Sequence, residues 1–108
     1  MIIAPVVSNP RRLIAGGLVV VSTETRTNGG VLTTPGTSIK ITLFDPTGAT
    51  ALAATNMTAG STGIYTYTFQ TTTTRDPGEY TILITVVHTD GTSLFRSEPG
   101  SACNFEVA

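Results

Sequence analysis

Apolar and polar positions alternate most regularly in three stretches of the chain, and each predicts a β-strand, because successive strand side chains point to opposite faces. From Ser38 to Phe44, Ile39, Ile41 and Leu43 point one way while Lys40 and Thr42 point the other. From Ile64 to Phe69, Tyr65, Tyr67 and Phe69 share a side and form the aromatic part of the expected core. The longest stretch runs from Gly78 to His88, with Tyr80, Ile82, Ile84 and Val86 on one face. Its other face, Thr81, Leu83, Thr85 and Val87, is mixed rather than polar, as in the central strand of a sheet. Asp76-Pro77-Gly78 opens this strand and Asp90-Gly91 closes it with a two-residue hairpin signal.

The remaining elements are weaker. Leu18 to Thr25 is a β-branched run in which Leu18, Val20 and Ser22 alternate with Val19, Val21 and Thr23, so either face can turn inward. Ala49 to Ala54 reads as a short strand, with a helical turn as the alternative, and Met57 as a core filler. Thr92–Ser97 and Cys103–Val107, separated by Glu98-Pro99-Gly100, form either one interrupted strand or two short ones. Asp45-Pro46-Thr47-Gly48 has type I turn composition: Asp first, Pro second, Gly fourth. About seven strands with Gly, Pro, Asn and Asp between them predict an all-β, two-sheet antiparallel sandwich over residues 13–108.

Residues 1–12 stand apart as an N-terminal arm interrupted by Pro5 and Pro10. Two readings stand for it: a loose terminus or edge strand of this sandwich, or an arm adding to a neighbouring subunit's sheet. On the second, Ile2, Ile3, Val6, Val7, Arg11 and Arg12 are the contact residues. The apolar part is too short to span a membrane, and its arginines follow it instead of preceding it as in a signal peptide.

Composition narrows the function classes. The 108 residues suffice for one domain. Only 12% are charged, with net charge −1, which gives no electrostatic case for nucleic acid or an anionic membrane. The 22 threonines cover solvent faces with hydroxyls instead of charges. Cys103 is the single cysteine, so an intrachain disulfide is excluded and a structural zinc site lacks ligands.

The pattern Phe44-Asp45-Pro46-Thr47-Gly48, Gly63-Ile64-Tyr65-Thr66-Tyr67, Pro77-Gly78-Glu79-Tyr80 and Thr89-Asp90-Gly91 resembles bacterial and phage immunoglobulin-like modules, over roughly residues 16–108. The resemblance implies an immunoglobulin-like sandwich in which Gly78 and Tyr80 stand at the tyrosine corner. The Cys…Trp…Cys signature of antibody domains is missing. Single small modules of this kind occur mainly as accessory proteins of tailed-phage virions: head decoration, neck or tail components. The initial Met, the missing signal peptide and the single module fit assembly in a host cytoplasm onto a particle. The implied partners are other virion proteins or copies of the chain itself; a carbohydrate-binding or adhesin module, with a surface glycan as ligand, is the alternative.

Catalysis and cofactors find little support. His88 is the single histidine, and no G-x-S-x-G motif accompanies it. Asp45, Asp76 and Asp90 sit at turns, without the D-x-D-x-D spacing of a calcium loop. No cofactor or metal is expected. A glycan-binding face would need exposed rings, for which Phe44 and Phe95 are the candidates; an outward Thr ladder would draw on Thr66 and Thr68 or on Thr23, Thr25 and Thr27.

Overall fold

The computed structural model describes residues 2–7, 12–13, 16–34, 38–71, 77–88, 91–98, 100 and 104–107. Among these the chain forms ten strands: β1 (Ile2–Val7), β2 (Arg12–Leu13), β3 (Leu18–Arg26), β4 (Ser38–Phe44), β5 (Thr50–Asn56), β6 (Thr58–Ala59), β7 (Ile64–Gln70), β8 (Gly78–His88), β9 (Gly91–Arg96) and β10 (Phe105–Val107). They make two sheets. One has the order β1-β3-β7-β6; the other runs β2-β10-β8-β4-β5, with β9 also paired to β8. All pairs are antiparallel except β2 with β10.

β8 is the central strand that its two apolar faces predict. It pairs with β4 along one side, and along the other with β10 at Gly78–Tyr80 and β9 at Leu83–His88. β9 and β10 are thus two segments laid end to end against one strand. Ser97 marks the break, donating its N–H to Ile82 O at 3.0 Å while its Oγ accepts the Ile82 N–H at 2.9 Å. A serine hydroxyl there replaces the carbonyl that a continuous strand would supply.

The core lies between the sheets. Ile39, Ile41 and Leu43 of β4 and Tyr80, Ile82, Ile84 and Val86 of β8 face Val19 and Val21 of β3 and Tyr65 and Phe69 of β7. Phe105 stacks on Tyr80 across the β10–β8 pair, with centroids 5.2 Å apart and planes at 11°, and tilts against Phe69 of the other sheet at 6.0 Å. Burying such rings contributes on the order of 2–3 kcal/mol each. Met57 fills the core, and Tyr67 is half-buried against it.

Two expectations are corrected by the packing, and between the readings of the N-terminal run it favours one. The strand count exceeds seven because β2 and β6 are two-residue pairings and the last strand is split. On β3 the inward set is Val19, Val21, Thr23 and Thr25, so Thr23 and Thr25 are fully buried and form no outward ladder with Thr27. For Ile2–Val7 the edge-strand reading holds: it pairs antiparallel with Val21–Arg26 of the chain's own β3, and Ile3 packs on the core. Pairing with β3 satisfies the backbone groups on one side of β1 and leaves its other side as a sheet edge.

Candidate interaction surface

Each sheet presents one outer face. On the four-stranded sheet, Thr58, Thr66 and Ser22 stand side by side on β6, β7 and β3 by register. Thr68 is exposed two residues along, so Thr66 and Thr68 do face outward. The charges here neutralise each other: Arg26 Nη2 lies 2.9 Å from Glu24 Oε2, and Arg26 Nη1 donates to Gly30 O. Both side chains are more than a third exposed, so the pair adds little stability.

The outer face of the larger sheet carries Lys40, Thr42 and Phe44 from β4, Thr81, Leu83, Thr85 and Val87 from β8, and Thr92, Leu94 and Arg96 from β9, placed by the β4–β8–β9 register. The Arg96 guanidinium reaches across β8 to lie 4.7 Å from the Phe44 ring centroid, a cation–π contact that covers the ring. Phe95 is half-buried against the core. Tyr65, Phe69, Tyr80 and Phe105 are buried, and Tyr67 is half-buried. No aromatic ring of the chain is therefore an exposed platform for a sugar.

The sheet edges differ in how they are closed. β1 carries Pro5 at its centre, which removes one backbone donor from that edge. β2 and β6 are two residues long. β5 holds neither Pro nor charge, but its pairing with β4 shifts register twice, between Ile41 and Leu43 and between Leu43 and Phe44. Such irregularities twist an edge away from a straight partner. β9 pairs with β8 in unbroken register from Gly91 to Arg96 and contains no proline.

The remaining singled-out residues have local roles. Asp45 Oδ1 accepts the Thr47 N–H, the Thr47 hydroxyl and the Ala49 N–H at 2.6–3.0 Å, which makes it a turn former. His88 Nε2 lies 2.9 Å from Ser93 Oγ across the β8–β9 pair. Cys103, Arg11, Asp76 and Asp90 lie outside the described residues, and of Val6, Val7 and Arg12 only the strand positions are described. Ile2 is 44% exposed at the start of edge strand β1. Among the described residues no three His, Cys, Asp or Glu side chains gather as a metal site would require, and no helix is long and apolar enough to cross a membrane. Sequence reasoning did not single out Leu94, which is 65% exposed on β9; its place beyond the Asp90-Gly91 hairpin is the signal that could have found it.

No protein-family model matches the chain, and a search of curated proteins finds no match. Among solved structures the chain is similar to the crystal structure of the Lin-41 filamin domain, with TM-score 0.63 and 19% identity over 98% of this chain and 91% of that one. At this identity the likeness shows the fold: an immunoglobulin-like β-sandwich.

Proposed function

We propose that the chain is a non-enzymatic protein-interaction module whose edge strands join it to neighbouring subunits. The observation that carries this reading is that two open edge strands each bear an exposed apolar side chain, Ile2 on β1 and Leu94 on β9, while the other exposed large apolar side chains, Leu18 and Val31, lie at the start of β3 and in the loop after it. An edge strand offers backbone donors and acceptors that a neighbour can pair, while small apolar contacts add affinity. The similarity to a filamin domain supports an interaction role by analogy of fold. The resemblance to phage immunoglobulin-like modules supports the finer reading, an accessory of a virion placed in the head, neck or tail.

The test is co-sedimentation. Particles from the native source, purified on a density gradient, should carry the chain at constant stoichiometry through successive fractions. A chain recovered wholly in the soluble fractions would remove the virion reading.

A further inference from the structure

We propose that two copies of this chain pair through β9, antiparallel and centred on Leu94, so that the larger sheets of both copies become one continuous sheet. The inference rests on the reading of the chain as an interaction module and names one partner, a second copy.

The ladder fixes which backbone groups are free to pair. Ser97 N–H donates to Ile82 O, so the backbone of Ser97 faces β8. In an antiparallel ladder the direction alternates residue by residue. The register continues unbroken from Leu83–Arg96 to His88–Gly91, so Phe95, Ser93 and Gly91 also face β8. Thr92, Leu94 and Arg96 then direct their N–H and C=O groups toward the open edge.

Self-complementarity restricts the register to shifts of two residues, and the exposed Leu94 centres it. With Leu94 opposite Leu94 of the second copy, Thr92 stands opposite Arg96 and Arg96 opposite Thr92, so every edge-facing residue meets another edge-facing residue. A shift by one residue would set edge-facing groups against groups already bonded to β8. The single charge of the strand, Arg96, then faces a neutral threonine, and its guanidinium is already drawn over Phe44 of its own sheet. A twofold pair places like charges together only where a charge meets itself or its own kind, and within β9 this register has no such position.

Apolar area supports the same occupant on both sides of the sheet. Leu94 is 65% exposed on the outer side, and the centred register brings the two leucines together. On the inner side Phe95 is only half-buried, and the register sets it beside Ser93 of the second copy. Six paired residues bury far less than the ~1,600 Å² of a standard interface, so the pair is weak and concentration-dependent.

The experiment uses the full chain. Sedimentation velocity from low micromolar to millimolar concentration should show the weight-average mass rising toward twice that of the monomer. Amide exchange at Thr92, Leu94 and Arg96 should slow over the same range, while Ser93 and Phe95 stay protected throughout. Leu94→Pro removes an edge-facing N–H without breaking a bond to β8, and Leu94→Lys sets two ammonium groups opposite each other. Both should keep the monomer's far-ultraviolet dichroism and weaken association at least about tenfold. A wild-type chain that stays monomeric at millimolar concentration, or folded variants that associate as well as wild type, would overturn the pairing. The co-sedimentation test separates this from the broader reading: a particle-bound monomer removes the β9 pair alone, and a paired chain absent from particles removes the virion role alone.

Discussion

Gly78 lies so close to the Pro46 ring that a methyl group on its Cα would sit 2.7 Å from Pro46 Cγ and 2.9 Å from Pro46 Cβ. The proline of the β4–β5 turn thus packs on the glycine that opens β8, in a backbone conformation (φ 131°) that side chains rarely adopt. Gly78→Ala should cost about 2–4 kcal/mol from strain and overlap together. Each kcal/mol corresponds to a fall of roughly 4–8 °C in melting temperature for a domain of this size. In a Pro46→Gly background the same substitution should cost about 1 kcal/mol less. Equal costs in both backgrounds would mean that the contact carries none of the effect.

Gly63 is held more tightly, because its neighbours are backbone. A Cβ there would lie 2.8 Å from Thr25 O and 2.9 Å from Thr33 N. Neither can retreat: Thr25 N–H donates to Gly63 O at 2.8 Å, and Thr33 N–H donates to Thr25 O at 2.9 Å. Gly63→Ala should therefore be the worse of the two glycine substitutions, at about 3–5 kcal/mol in chemical denaturation. The reverse order would refute the distinction between yielding side-chain and fixed backbone neighbours.

Two adjacent inward threonines should respond with opposite signs. Thr23 Oγ1 is buried without a hydrogen-bond partner among the described residues, whereas Thr25 Oγ1 donates to Thr33 O at 2.6 Å. Thr23→Val replaces an unpaired hydroxyl by a methyl of the same shape and should stabilise by about 1 kcal/mol. Thr25→Val strands the Thr33 carbonyl and should destabilise by about 1–2 kcal/mol. Matching shifts in urea midpoint for the two would contradict the assignment.

Ser97→Ala should expose the seam between β9 and β10. The Ile82 N–H would lose its acceptor in a buried position, at a cost of about 1–3 kcal/mol. Native-state exchange should speed at Ile82 before it speeds at Ile84, since the Phe95–Ile84 pairing does not depend on the hydroxyl. Uniform acceleration along β8 would show that Ser97 acts on global stability alone.

The sandwich was legible where polar and apolar residues alternate. Ile39, Ile41 and Leu43 on β4 and the Tyr80–Val86 set on β8 are buried as their spacing predicts. β3 was not legible in this way, because threonine has the shape of valine and its hydroxyl can be met inside the fold, as Thr25 shows. The short strands β2 and β6 exist only through their partners, and two residues leave no periodic trace. β1 was legible as an apolar run with an edge strand among its readings, but its partner was not, since that depends on β3 turning Val21–Arg26 toward it. The candidate surface was the least legible part. Exposure at Leu94 follows from β9 lying on an edge, and that is decided by which strand pairs β8 on its far side.

The parallel pairing of β2 with β10 has a mechanical consequence. Arg12 and Leu13 lie near the start of the chain, and Glu106 and Val107 lie near its end, yet the two segments run in the same direction side by side. Tension that reaches β2 once the β1–β3 pairing has given way therefore pulls these strands past each other along their length. Their hydrogen bonds are loaded together in shear, whereas an antiparallel pair of terminal strands would unzip one bond at a time. A short contact between β2 and β10 thus acts as a latch against stretching.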